Sequence, residues 1–255
     1  MKIAHIITRL IVGGAQENTI LSCAGLAKKC HNVTLIAGTE TGPEGSLWDH
    51  AERSGAELIR LDSLRRNVHP YHDARCLIEL TDILRSRKFD IVHTHSSKAG
   101  ILGRWAAARA GNRAVVHTIH GMSFNRTQPA IVRWGYRTLE QLAAQSTHAF
   151  VTVANAMIDQ AVAGGLGARE TFTTVYSGMP TERYVRSESQ RESVRECWGI
   201  GQGDIVVGTV ARLFRNKGYE ELLDALPSVI ARVPNVRFVW IGDGADRDGY
   251  LRRLE

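Results

Sequence analysis

Residues 208–218 read Gly-Thr-Val-Ala-Arg-Leu-Phe-Arg-Asn-Lys-Gly, and the segments on either side of them decide the fold. Ahead of the stretch, Ile205 to Val210 is a β-branched apolar run, predicted as a buried strand. Behind it, Tyr219, Leu222, Leu223, Leu226 and Ile230 recur at helical spacing and predict the core face of a helix from Gly218 onward. Arg212 leaves the strand's carboxyl end and Lys217 stands at the helix start, where unpaired amides and the macrodipole favour an anion. Two cations at such a place suit a polyphosphate, and the same spacing also fits a pair of solvated loop charges.

Gly208-Thr-Val-Ala-Arg-Leu, followed by Asn216-Lys217-Gly218 and an amphipathic helix, resembles the donor-phosphate segment of the family 4 retaining glycosyltransferases, of GT-B architecture. The resemblance implies that Arg212 and Lys217 hold the diphosphate of a nucleotide-sugar. The run from Phe238 through Gly242-Asp243-Gly244 resembles the next strand and its glycine turn in that family. With the blocks below, the similarity runs over nearly all 255 residues.

Composition sets the outer bounds. A chain of 255 residues holds one large or two modest domains, and 44% hydrophobic with 23% charged residues is ordinary for a soluble globular protein. His5, Thr8 and Arg9 interrupt the apolar run after Lys2, which argues against a signal peptide or a membrane span and places the chain in the cytoplasm, at most peripheral at the inner membrane face. Cys23, Cys30, Cys76 and Cys197 have no paired metal spacing and are expected as reduced, mostly buried thiols. A net charge of +6 permits attraction to phosphate-rich partners. Nucleic acid is not indicated, since Arg65-Arg66 and Arg252-Arg253 lie far apart and no aromatic-basic repeat accompanies them.

Along the chain, strands are predicted at Lys2 to Ile7, Asn32 to Ala37, Glu57 to Leu61, Ile91 to Thr94, Ala114 to Ile119, Ala149 to Val153, Phe172 to Tyr176 and Val236 to Ile241. Helices are predicted at Ala15 to Lys29, Ser46 to Arg53, Asp73 to Arg87 with Leu77, Leu80, Ile83 and Leu84 on one face, Lys98 to Ala110, and Pro129 to Gln145. Such alternation argues for a mainly parallel sheet covered on both sides, Rossmann-like in character. Ser177-Gly178-Met179-Pro180 stands where relatives of the family carry Asn-Gly-Val-Asp, and the domain boundary is set there. Residues 1–180 are then the acceptor-side domain, and 181–255, opening on the polar run Arg186 to Glu196, are part of the donor-binding domain.

Gly13-Gly14 follows the first strand and precedes a helix, the order that cradles phosphate, but IVGGAQ lacks the third glycine of the dinucleotide fingerprint, so no nicotinamide cofactor is implied. The pair is either a tight turn needing positive φ or, as the resemblance implies, part of the donor-diphosphate site. His93 and His95 share one face of a strand, and such a pair can bind zinc, yet a third ligand is not apparent at a useful spacing and no metal is expected. The run Val92 to Gly103 resembles a strand-to-helix block of the family. His120, in His117-Thr-Ile-His120-Gly121, falls where a parallel strand ends, the edge at which open α/β sheets bind ligands. It is either a structural histidine capping that strand or, by resemblance, the catalytic histidine contacting the transferred sugar. Trp134 and Tyr136 beside Arg133 and Arg137, preceded by Arg126, fit an interfacial helix touching a membrane or an ordinary surface helix with buried aromatics.

The function these blocks imply is retaining, metal-independent transfer of a sugar from a nucleoside diphosphate donor, with no other cofactor, to a glycan or lipid-linked acceptor in cell-surface polysaccharide or glycolipid synthesis. The chain reads as C-terminally truncated: the family's Glu-seven residues-Glu motif, which grips sugar and ribose, would lie past Glu255. Inactivity of the 255-residue chain is expected on that ground. The alternative is a non-catalytic module that binds an acceptor or partner through the first domain.

Overall fold

The computed structural model describes residues 1–125 and 127–254, apart from the side chains of Arg183 and Asn216. Arg126, expected ahead of the aromatic and basic helix, lies outside the described residues, as does Glu255. The chain divides into two units, Met1–Met179 and Pro180–Glu255.

In the first unit the elements run β1 (Lys2–Arg9), α1 (Gly14–Lys28), β2 (Asn32–Gly38), α2 (Trp48–Glu52), β3 (Glu57–Arg60), α3 (Pro70–Arg87), β4 (Ile91–His95), α4 (Ser97–Ala110), β5 (Val115–Ile119), α5 (Ala130–Ala144), β6 (Ala149–Thr152), α6 (Asn155–Ala163) and β7 (Phe172–Thr174). The strands form one sheet in the order β3-β2-β1-β4-β5-β6-β7, every pair parallel. The chain therefore starts in the middle, winds out through β2 and β3, and crosses back to β4 on the other side of β1. That reversal makes the β1/β4 boundary a topological switch point, where loops leave the strand ends in opposite directions and open a crevice.

Both faces of the sheet are covered, which is why its central strands read as near-continuous apolar runs. Ala4, Ile6 and Val92 pack with Cys76, Leu80 and Leu84 of α3 and with Ala99, Leu102 and Ala106 of α4. Ile7, Val33 and Leu35 pack on the other side with Ile20 and Cys23 of α1. Helix α4 lies close to the sheet because its inner positions are small: a Cβ on Gly100 would stand 2.5 Å from Cε1 of His117, and one on Gly103 2.8 Å from Cγ2 of Thr94. The cysteines depart from expectation. Cys23 and Cys76 are buried, with thiols pushed up to about 12 chiefly by desolvation, but Cys30 and Cys197 are exposed.

The second unit holds α7 (Glu188–Cys197), β8 (Ile205–Val210), α8 (Tyr219–Arg232), β9 (Val236–Ile241) and α9 (Arg247–Arg252). The polar run after Arg186 is thus helical, capped where the Ser187 hydroxyl accepts the Gln190 amide at 3.3 Å. Strands β8 and β9 pair in parallel, and Tyr219, Leu223 and Leu226 of α8 pack with Trp240 and Tyr250. The prediction of a buried β8 is corrected: Ile205 is 51% exposed and Val210 79%, since β9 is the strand's only partner among the described residues. Ile230, expected on the core face of α8, is exposed as well, the buried side chains of that helix ending at Leu226.

Candidate functional site

At the switch point of the first unit, β1, β4 and β5 bring their carboxyl ends together. The Thr8 hydroxyl lies 2.8 Å from Ser96 Oγ and accepts the Ala99 amide at 3.2 Å, tying the start of α4 to the end of β1. Ser96 itself has φ 60° and ψ 167°, a region that is nearly glycine-only and costs about 1–3 kcal/mol for other residues. A cavity of about 230 Å³ opens beside this turn, lined by Ser96, Ser97, His120, Met122, Ser123 and Glu140. Its wall includes half of a buried ion pair: Arg104, wholly inaccessible, donates Nη2 to Glu140 and Nε to the Gly100 carbonyl at 2.8 Å. The other Glu140 oxygen accepts the Ser123 hydroxyl at 3.1 Å, so the pair also anchors the loop that follows His120.

His120 and His117 differ in burial and in partners. Both line the cavity, but His117 is buried beneath α4, its Nδ1 2.9 Å from Thr94 Oγ1, whereas His120 is only partly buried. The expectation that His93 and His95 lack a third companion is corrected. In parallel register His5 of β1 stands opposite His93 of β4, and ligand atoms of His5, His93 and His95 lie within 4.8 Å of one another. Sequence spacing could not show this, because the third imidazole comes from the neighbouring strand. Yet two of the three ring pairs stack: His93 and His95 are 4.3 Å apart at 29° and His5 and His95 5.2 Å apart at 14°, while His5 and His93 are tilted at 39°. Imidazole lone pairs lie in the ring plane, so His95, stacked on both of the others, does not aim at one tetrahedral centre with them. They hydrogen-bond instead, His5 Nδ1 to His95 Nε2 at 2.9 Å and His95 Nδ1 to His120 Nε2 at 3.1 Å. Burial disfavours the imidazolium throughout: His5 and His120 are lowered to about 4 by desolvation, and His93, His95 and His117 well below their ordinary value, first by desolvation and then by the neighbouring imidazoles and, for His117, by Arg104.

Gly13 and Gly14 sit between β1 and α1. The tight-turn expectation is corrected, because Gly13 is extended at φ 171° and neither glycine is among those with left-handed φ. A Cβ on Gly14 would meet no atom within 4 Å, so the missing side chain leaves open space in front of the helix start.

In the second unit, Arg212 and Lys217 are both exposed on the turn between β8 and α8, with the Arg212 guanidinium carbon 5.0 Å from the Phe214 ring centre. Residues Arg215–Lys217 form one 3-10 turn that ends at Gly218, φ 82°, which also caps α8. Glu220, in the first turn of α8, is engaged by the Tyr250 hydroxyl at 3.1 Å and by Arg215 at 3.8 Å. The shape of the turn is set by the next strand's glycines. The Leu213 amide donates to the Asp243 carbonyl at 3.0 Å and the Ala211 amide to that of Ile241 at 3.2 Å. A Cβ on Gly242 would stand 2.0 Å from the Ala211 oxygen, and one on Gly244 2.4 Å from the Leu213 oxygen. Glycine at both positions is what lets the two turns meet backbone to backbone.

On helix α5, Trp134 and Ile131 are exposed and Tyr136 is partly buried, so the picture of a surface helix with its aromatics buried is corrected for Trp134 alone. Arg137 donates to the Gly164 carbonyl at 3.0 Å. No helix among the described residues is long and apolar enough to cross a membrane.

The chain belongs to the glycosyl transferase 4-like domain family, whose model matches residues 13–178. It is 30% identical over 246 residues to the UDP-Gal:alpha-D-GlcNAc-diphosphoundecaprenol alpha-1,3-galactosyltransferase of Escherichia coli, covering 96% of this chain and 62% of that enzyme. It is 24% identical over 250 residues to the GDP-mannose-dependent alpha-(1-6)-phosphatidylinositol monomannoside mannosyltransferase of Mycolicibacterium smegmatis, covering 95% and 59%. The chain thus spans less than two thirds of the length of these relatives. The crystal structure of HepE from Anabaena in complex with UDP and glucose matches with a TM-score of 0.73 at 19% identity, covering 100% of this chain and 64% of HepE. At that identity the likeness shows the fold, which is α/β of the GT-B type.

Proposed function

We propose that the chain carries the acceptor-side domain, residues 1–180, and part of the donor-binding domain, 181–255, of a retaining glycosyltransferase that moves a sugar from a nucleoside diphosphate to a glycan or lipid-linked acceptor. One observation carries the reading: two exposed cations, Arg212 and Lys217, on a turn whose backbone is clamped by Gly242 and Gly244. As the bond from the anomeric carbon to phosphate breaks, negative charge grows on the leaving diphosphate and the sugar becomes oxocarbenium-like. Arg212 and Lys217, with the positive end of α8, stabilise that charge directly, the role a divalent metal would otherwise fill. Gly14, with open space where a side chain would be, admits the donor phosphates close to the start of α1. His120 contacts the transferred sugar from the cavity at the switch point.

The activities for which the two relatives are named support a nucleotide-sugar donor and an acceptor carried on a lipid, and HepE holds UDP and glucose. Exposed Ile131 and Trp134, with Arg133 and Arg137 on the same helix, support a peripheral contact of α5 with the membrane that carries such an acceptor, from the cytoplasmic side.

Calorimetric titration with UDP and GDP tests the diphosphate assignment. Arg212→Ala and Lys217→Ala are each expected to weaken binding roughly tenfold or more, as charge-assisted bonds to phosphate contribute about 1.5–3 kcal/mol. Unchanged affinity in both variants removes the assignment. In a form of the enzyme that turns over, His120→Ala is expected to lower kcat at near-constant donor affinity, the signature of a contact to the reacting sugar. A wild-type kcat in that variant returns His120 to a structural role.

A further inference from the structure

Three imidazoles from three parts of the chain form one hydrogen-bonded line that ends in the cavity: His5 of β1, His95 at the end of β4, and His120 just past β5. Each is uncharged, since burial disfavours the imidazolium. A neutral imidazole has one N–H and one lone pair. His95 uses both of its nitrogens in the line and therefore cannot donate at each, so the two bonds must point the same way.

Two directions are open. Outward, His5 Nδ1–H donates to His95 Nε2 and His95 Nδ1–H donates to His120 Nε2, which leaves a bare lone pair on His5 Nε2. Inward, every proton moves to the other end of its bond and His5 Nε2 carries an N–H. Among the described residues that atom is buried without a hydrogen-bond partner. For backbone groups an orphaned buried N–H is rarer than an under-used acceptor, and carrying that preference over to the ring selects the outward direction. His93 does not compete for the line: its Nε2 is 2.7 Å from Thr118 Oγ1, and its ring stacks on that of His95.

We propose that His5 and His95 are positioning residues that hold His120 with its proton on Nδ1 and its Nε2 occupied, so that His120 meets its ligand as a hydrogen-bond donor and not as a base. The inference builds on the sugar contact assigned to His120 above. A donor there suits a hydroxyl or phosphate oxygen of the donor substrate and leaves His120 unable to take a proton from the acceptor while the line is intact.

Long-range proton–nitrogen correlation spectra of the full chain, labelled with nitrogen-15 histidine and free of ligand, read the tautomer directly. The wild-type chain is expected to show His120 protonated at Nδ1 and accepting at Nε2. His95→Leu removes the donor, and the ratio of Nδ1–H to Nε2–H at His120 should fall about tenfold, the worth of one buried hydrogen bond. His95→Asn, whose side-chain amide stands where Nδ1 stood, should restore the wild-type ratio. A wild-type His120 protonated at Nε2, or a tautomer ratio unmoved in His95→Leu, overturns the proposal. Should His95→Leu fail to fold, the wild-type spectrum decides alone. The outcome is independent of catalysis: loss of the sugar-contact reading through an unaffected His120→Ala would leave the tautomer result standing, and the reverse holds too.

Discussion

Glu140→Ala is expected to destabilise the first unit by about 3–5 kcal/mol, because it strands a charge that the fold has already taken out of water. The Arg104 guanidinium has no solvent exposure, and its remaining described bond is to the Gly100 carbonyl. Burial pushes the arginine's pKa down and Glu140 pulls it back up, so the carboxylate is what keeps the cation tolerable. Against a typical stability of about 5–15 kcal/mol the loss is large. It should be visible as a lower urea midpoint of the chain. The double variant Arg104→Met, Glu140→Leu should recover most of it, since an apolar pair of similar volume carries no desolvation cost. A loss below about 1 kcal/mol in Glu140→Ala would mean that water reaches the pair.

Acid is expected to unfold the first unit well above the carboxylate range. The His5 imidazole takes up a proton near 6.5 in the unfolded chain but only at about 4 in the folded one. Between those values the unfolded state binds more protons, so stability rises with pH. The contribution is fully present above 6.5 and is lost as pH falls toward 4, amounting to about 3 kcal/mol for His5 alone. His120 is lowered to about 4 also, and His93, His95 and His117 lie further down. Unfolding near pH 5.5 should therefore take up at least about two protons, a slope of roughly 3 kcal/mol per pH unit. Urea denaturation at closely spaced values from pH 7 to 5 measures it. A flat profile would show that the stacked histidines accept protons without leaving their places.

Much of this architecture is legible in the residues because burial on both faces forces it. Runs such as Ile3 to Ile7 and Val33 to Ala37 have no polar face to spare, and the parallel sheet follows from the helices between them. The turn at 211–218 is legible for the same reason: strand, glycine and helix each carry a local signal. Three features carry none. The His5 partnership with His93 is a matter of register between strands far apart in sequence. The left-handed φ of Ser96 falls on a residue type that does not announce it, and the hydroxyl of Thr8 that holds the turn arrives from another strand. Arg104 and Glu140 look like ordinary surface charges in their helices until the packing of α4 against α5 brings them together. Helix α7 was hidden by composition, since its polar sequence offers little apolar periodicity beyond its Ser187 cap. The exposure of β8 is the opposite case: its side chains are those of an interior strand, and what they meet is decided by neighbours, not by the strand itself.

The Gly242 and Gly244 contacts have a bearing on how such a unit can change over time. Where two stretches of main chain touch directly, there is no side chain for mutation to adjust, and any larger residue at either glycine would collide with the carbonyls of Ala211 or Leu213. The path of the turn is consequently frozen, while the side chains of Arg212 and Lys217 are exposed on it. Drift can exchange those two side chains and leave the chain trace untouched. Change in the side chains that the turn presents is thereby uncoupled from change in the backbone that presents them.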